Sequence, residues 1–404
     1  MKMGLIAPMT FLLLACDIAE ALPDDLPGLK AAADAALKEA VDARGRRDSK
    51  AAAQAAERAE KASAKAASFT DVPDKAAVAE VKSAAREAAR QAKLAGEDAE
   101  IQDRTTGLKA KAYRATRDVA LTQSLRGLAL AADEMAKGGE PLAAVKESAN
   151  LGRALAEGLA GRAPLADGAA DWPGVAADLR GFADKRPPTW SLFLAAACLV
   201  TARDGLGLIE IEGLDPATLT DPDHVFSYHL VRGLLLRLHG LPESANEAFA
   251  RMPVPNAAAA HEVEWQGSLH LILAVLALQN KDYPKADLEV ARSLKVWPNN
   301  PVAVYLTGEL LAETGQRERV PNSLETAWAG GEHEWLAKRI AARAREIRDA
   351  KGPAEPLIHD PAFLRDLLLW QLWQTAKTSP KAKSLQKLVD AAAPFLDRWI
   401  PGGK

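Results

Sequence analysis
The chain has 404 residues with 51 basic and 54 acidic side chains, a formal net charge of −3. That balance, with no basic stripe along the sequence, argues against nucleic acid as a partner. Two cysteines leave room for at most one disulfide, and no segment beyond the N-terminal prefix approaches the ~18 consecutive apolar residues of a membrane span.

The prefix carries one cation, Lys2, then an apolar run from Leu5 to Leu14 interrupted by Pro8, and ends in Leu12-Leu13-Leu14-Ala15-Cys16. A positive start, a short apolar run and small residues make a secretory signal. Roughly ten apolar residues are too few to cross a bilayer, which takes about 20. Leu13-Leu14-Ala15-Cys16 resembles the lipobox of bacterial lipoproteins. The resemblance implies that residues 1–15 are removed, that the Cys16 thiol receives a diacylglycerol and that its new amine is acylated. It also implies an address: a bacterial cell envelope, with the protein lipid-anchored to a membrane at its periplasmic face. The chemistry requires cysteine because a thiolate is the nucleophile that accepts the lipid, and each buried methylene contributes about 0.8 kcal/mol of anchoring. The single cation and Pro8 depart from the lipoprotein pattern. An ordinary signal peptide cut near Ala19 or Ala21 is the alternative.

Residues 16–165 read as an alanine-rich helical region. Positions 31–100 hold 27 alanines, two glycines and one proline, and alanine is the strongest helix former. Leu29, Ala33, Leu37 and Val41 recur every four residues. Ala52, Ala55, Ala59, Ala62 and Ala66 alternate steps of three and four, as do Val78, Val81, Ala85, Ala88, Ala92 and Ala95. Each set marks one helix face, and faces this small predict an antiparallel hairpin or coiled-coil-like bundle with closely approaching backbones. Gly45-Arg46-Arg47-Asp48 is the first expected turn, with Asp48 as N-cap. Thr70-Asp71-Val72-Pro73 is the second, and Thr105-Thr106-Gly107 and Gly138-Gly139 mark later breaks. The texture changes over residues 163–189, where Pro and Gly accumulate, and a second region is placed at 170–404.

Within that region the clearest repeats fall at 225–330. Leu273-Ala274, the turn Lys281-Asp282-Tyr283, Ala286, Val290 and Pro298 form one unit; Thr307-Gly308, Leu311, Gly315, Val320 and Leu324 begin the next. Ala274 and Gly308 are 34 residues apart. One unit earlier stand Gly233, Leu236, Gly240, Ala245 and Phe249, with a surplus of seven residues before Ala274. This spacing resembles the tetratricopeptide repeat (TPR), in which small residues let paired helices touch and larger ones fill the gaps between pairs. The departures are His229 and His270 at the first large position, and Arg232 and Thr307 in place of leucine. The resemblance implies an all-α chain ending in a TPR-like α-solenoid, and a protein partner.

No catalytic signature accompanies the repeats. His261-Glu262-Val263-Glu264-Trp265 lacks the second histidine of a metalloprotease helix, and no nucleophile elbow, phosphate loop or paired Cys-x-x-Cys occurs. No catalytic, cofactor or metal residues are assigned. Asp204-Gly205-Leu206-Gly207 reads as a plain turn, and Cys198, inside an apolar run, as a small core residue. All nine tryptophans lie at or after Trp172; Trp370 and Trp373 share one helix face, and a last helix is expected over Lys381 to Trp399. The expected function is a non-catalytic, membrane-anchored scaffold or adaptor. The alternative is a lipoprotein that captures a glycan or peptide on exposed tryptophans.

Overall fold
Many helices of this chain begin where an Asp or Asn precedes a proline. Asp25, Asp171 and Asp282 each accept a hydrogen bond from the backbone N–H three residues on, at 3.1, 3.0 and 3.3 Å. Pro27, Pro173 and Pro284 follow in the first turn, where a missing N–H costs nothing. Asn300 caps through Val302 N–H at 2.9 Å, with Pro301 next. The structure, a computed structural model, describes residues 22–23, 25–69, 75–160, 171–252, 263–298, 300–320, 334–349, 357–360, 362–368 and 370. Among them every regular element is helical and no strand occurs, so the chain is all-α.

In chain order the helices are α1 (Leu26–Gly45), α2 (Ser49–Ala67), α3 (Lys75–Thr106), α4 (Leu108–Ala136), α5 (Ala143–Ala160), α6 (Trp172–Asp184) and α7 (Thr189–Val200). Then come α8 (Asp204–Glu212), α9 (Pro222–Leu238), α10 (Pro242–Ala250), α11 (Val263–Gln279), α12 (Tyr283–Val296), α13 (Pro301–Glu313) and α14 (Glu334–Asp349), with short 3-10 turns between some of them. Residues 362–368 are also helical. Contacts divide the chain into two compact units, Met1–Ala99 and Glu100–Lys404. The textural change at 163–189 lies inside the second unit, and residues 161–170 of it are outside the described residues. Among the described residues no helix is long and apolar enough to cross a membrane.

The first unit is layered in alanine. Leu29 and Ala33 meet Ala62, Ala66 and Val81; Ala36 and Ala40 meet Ala55, Ala59, Ala85 and Ala88; Ala43 meets Ala52 and Ala95. Numbers in α1 rise from layer to layer while those in α2 fall, so α1 and α2 are antiparallel and α3 runs with α1. Ala52, Ala55, Ala59, Ala62 and Ala66 of α2 are all buried, as their spacing predicts. The α1 face differs: its buried residues are Leu29, Ala33, Ala36, Ala40 and Ala43, while Val41 is 46% exposed. A strict step of four gains about 40° per step on a helix of 3.6 residues per turn, so after three steps Val41 has rotated off the seam. Alternating fours and threes stays on it. The turn at Gly45–Asp48 forms where expected: Arg47 is left-handed (φ 59), Asp48 N–H returns to Ala43 C=O at 2.9 Å, and the Asp48 carboxylate caps Ala51 N–H at 2.9 Å. The Thr70–Pro73 turn lies outside the described residues.

In the second unit, breaks fall at Gly107, the N-cap of α4 with φ −63, and at Gly138 and Gly139, whose φ values are positive. One core joins Leu121, Leu125 and Leu128 of α4 to Leu155 of α5, Leu179 of α6 and Trp190 of α7. A larger one runs from α7 to Trp370. α7 is apolar on all sides because it faces both: Phe193 and Cys198 enter the first core, Leu192 and Leu199 the second. From α7 onward helices pack in pairs, α7 with α8, α9 with α10 and α11 with α12; α9 also touches α7 and α8, and α13 touches α11 and α12. The pairs share one turn. Ala202, Gly240, Lys281 and Gly315 are left-handed. In each, the next N–H bonds the carbonyl five residues back: Arg203 to Cys198 at 2.8 Å, Leu241 to Leu236 at 3.0 Å, Asp282 to Ala277 at 2.9 Å and Gln316 to Leu311 at 2.7 Å. This is the Schellman closure, which satisfies the end carbonyls and reverses the chain.

Asp204-Gly205-Leu206-Gly207 is not a turn but the start of α8. Gly207 is there for contact, since a Cβ would stand 3.0 Å from Leu235 Cδ2 and 3.2 Å from Cys198 Cβ. Gly233 plays the same part between α9 and α10, where a Cβ would lie 2.2 Å from the Phe249 ring. Ala245, Ala274 and Ala286 are buried. Leu324 lies outside the described residues, as does the expected last helix from Lys381.

Candidate interaction surface
Two buried carboxylates of the second unit, Glu210 and Glu309, are each held by several donors. The Glu210 carboxylate of α8, almost fully buried, accepts from the Tyr113 hydroxyl at 2.7 Å and from Arg117, both on α4. Burial, then the Glu210 charge, pushes the Tyr113 phenol well up, so it remains a donor. Arg186 reaches Asp118 at 2.6 Å, and Arg114 donates to Ile209 C=O at 3.1 Å. On α13, Glu309 accepts from Arg343 Nε and Nη2 of α14 at 2.9 and 3.0 Å and from the Tyr305 hydroxyl at 2.8 Å. Burial works against the Arg343 charge, but the Glu309 hydrogen bonds outweigh it and raise its pKa. These sets tie helices together, and each carboxylate is spent on its partners.

Between α11 and α12, His270 Nδ1 lies 2.6 Å from Glu289 Oε2, and Arg292 donates to the same carboxylate at 2.8 Å. A carboxylate only accepts, so Nδ1 carries the proton. Nearby, the Ser293 hydroxyl donates to Gly267 C=O at 3.0 Å, which ties Ser293 to the backbone. His229 is buried beside Tyr228, and burial, followed by Arg232 and Arg251, lowers its pKa. His239 meets Arg104 at 2.7 Å. Among the described residues no group of three or more His, Cys, Asp or Glu is placed to hold a metal ion. His261, with the motif that follows it, and His333 lie outside the description of side chains.

Cys16, the one site residue assigned from sequence, is outside the described residues. Cys198 is fully buried, and burial, then Glu210, holds its thiol far above the ordinary range, so the protonated form persists at neutral pH. Four tryptophan side chains are described. Trp190 and Trp370 are buried; Trp172, with Arg153 over its ring at 5.9 Å, and Trp297 are half-buried. None of the four offers an open ring.

What the sequence reading missed is on α4. Leu108, Val119 and Leu130 are 85%, 60% and 64% exposed and stand 11 residues apart. Eleven residues come within about 20° of three full turns, so the three side chains form a nearly straight line. Between them the open face carries Ala112, Ala115, Thr116, Gln123 and Gly127 together with Arg126, and Lys109 and Lys111 stand at its edges. The buried seam of Leu121, Leu128 and Ala132 lies on the opposite side. Leu130 borders a shallow groove of about 530 Å³ between α4 and the start of α5, with Gly127, Ala131, Val145 and Ser148 along it. The 11-residue recurrence was the available signal; it was hidden by the charged residues between.

Comparison with known protein families, curated proteins and solved structures finds no match for this chain.

Proposed function
We propose that this chain is a membrane-anchored, non-catalytic lipoprotein of the bacterial envelope that serves as a TPR-type scaffold or adaptor for other envelope proteins. The observation that carries the reading is the run of helix pairs from Thr189 to Glu313, reversed by one repeated turn and packed small against large, as at Gly233 and Phe249. Stacked pairs of this kind present extended surfaces rather than closed pockets. The buried carboxylates Glu210 and Glu309 fit this reading, because each joins two helices. The Ala-layered helices of the first unit extend or brace the protein. The tether itself is Cys16, read from Leu13-Leu14-Ala15-Cys16, and the partners are proteins and the membrane, not nucleic acid. Capture of a glycan or peptide on tryptophans draws no support from Trp172, Trp190, Trp297 or Trp370, which are all at least half covered.

The tether has a direct test. Cys16→Ala in the full chain is expected to move the protein out of the membrane fraction or to leave the prefix uncut, read by fractionation and by the mass of the N-terminus. Unchanged partition with unchanged processing defeats lipidation at Cys16.

A further inference from the structure
We propose that the exposed basic face of α3 lies on the anionic phospholipid headgroups of the membrane that holds the Cys16 lipid. The inference rests on the tether of the proposed function and adds an orientation to it. In sequence the cations of α3 alternate with Glu80 and Glu87. On the helix they separate: at about 100° per residue, Lys75, Lys82, Arg86, Arg90 and Lys93 fall within about 40° of one line. Ala79 stands among them, and Ser83 and Ala89 stand at the edges; all but the half-exposed Arg90 are open to solvent. Glu80 and Glu87 lie off that line by about 100–120° and are engaged, Glu80 with Lys30 of α1 and Glu87 with Arg90 and Gln91 at 3.0 and 2.8 Å. Lys82 and Arg86 have no ion-pair partner among the described residues. The first carboxylate on the line is Glu97, one turn past Lys93.

The opposite side of α3 carries Val81, Ala84, Ala85, Ala88 and Ala95, which close the alanine layers, so the cations are held on a rigid outer face. The neighbouring helices show no such sorting. The outer face of α1 alternates Asp34, Lys38 and Asp42, and that of α2 mixes Glu57, Glu60 and Lys61. What covers the α3 face follows from its sign, its length and the reach of the tether. Lys75 to Lys93 spans about 27 Å, and a cluster of four to eight Lys and Arg beside a membrane anchor is the pattern that binds anionic headgroups. Val81 packs with Leu29 and Ala33, so the line begins at the end of the unit where α1 starts. Nine residues, 17–25, join Cys16 to that end, a reach of at most about 30 Å. They carry Asp17, Glu20, Asp24 and Asp25, which oppose an anionic surface. Attraction therefore wins only with the α3 line turned towards the headgroups, and that selects one orientation.

The test reads orientation on the anchored protein. The full chain, with its N-terminal lipid checked by mass, is reconstituted in vesicles of phosphatidylcholine alone or in an equal mixture with phosphatidylglycerol. A fluorophore is carried by Ala79→Cys on the line or by Ala64→Cys on the outer face of α2, both exposed. Cys16 is blocked by its lipid and Cys198 is buried, so the label goes to the introduced thiol. Acrylamide quenching at Ala79→Cys is expected to fall roughly three-fold in the anionic vesicles, as headgroups cover the label, and to stay unchanged at Ala64→Cys. Salt at about 1 M, where the Debye length is about 3 Å, is expected to restore the quenching, as is Lys82→Glu combined with Arg86→Glu. Equal quenching of Ala79→Cys in both vesicles overturns the proposal, whether the face is then bare or kept for an acidic protein. So does equal protection of Ala64→Cys, or protection that survives both salt and charge reversal. An N-terminus without lipid defeats the tether itself; lipid present with equal quenching defeats the orientation alone.

Discussion
Glu309→Ala is expected to destabilise the protein by about 3–5 kcal/mol, the cost of leaving one member of a buried ion pair without the other. Glu309 is 0% and Arg343 2% exposed, and the guanidinium holds the carboxylate through two hydrogen bonds. Removing the carboxylate takes the two shorter hydrogen bonds from the buried guanidinium, which Glu346 still reaches at 3.4 Å, and leaves the Tyr305 hydroxyl without this acceptor. Urea unfolding reads the loss as a lowered midpoint. Glu309→Leu combined with Arg343→Met removes both charges and is expected to recover most of it, because a buried pair replaced by apolar groups of similar volume is often neutral. A single substitution within about 1 kcal/mol of the parent shows that the pair is not holding α13 to α14.

Gly233→Ala is the second large effect. Its Cβ would stand 2.2 Å from Phe249 Cε1 and 2.6 Å from Cδ1 and Cζ, so ring or helix must move, at about 1–3 kcal/mol for overpacking. Thermal unfolding should show the loss, and Phe249→Leu in the same chain should return part of it by withdrawing the ring. Gly181→Ala supplies the opposite sign. It is a helical glycine with open space around its Cβ, so alanine should stabilise there by roughly 0.5–1 kcal/mol. If Gly233→Ala behaves like Gly181→Ala, the close approach of α9 and α10 is not what the glycine serves.

The local features of the fold were legible in the sequence because they depend on neighbours along the chain. The three-four alternation of Ala52 to Ala66 marks its buried face, and Gly45-Arg46-Arg47-Asp48 declares both a reversal and a cap. Where the pattern was read too simply it misled: a strict four-step placed Val41 in a seam that Ala40 occupies. Glycine carried two meanings that sequence does not separate. Gly240 and Gly315 supply left-handed turns, whereas Gly207 and Gly233 make room for a neighbouring helix, which is why Asp204-Gly205-Leu206-Gly207 looked like a loop. The Glu309–Arg343 and Tyr113–Glu210 ties join residues 34 and 97 positions apart. Nothing in composition or period singles out those carboxylates among 54 acidic residues. The open face of α4 was obscured for a different reason. A helix with apolar lines on two sides has no strong one-sided pattern, and periodicity reports the sidedness of a helix rather than its coverage.

The scaffold claim is tested most directly by quantitative cross-linking of the full chain in cells, followed by mass spectrometry. The account predicts one envelope protein, recovered in near-stoichiometric amount, with its cross-links on the helix pairs between Thr189 and Glu313 and lost when Cys16→Ala removes the tether. Cross-links confined to the chain itself or to a second copy of it, with no other envelope protein attached, would contradict the account.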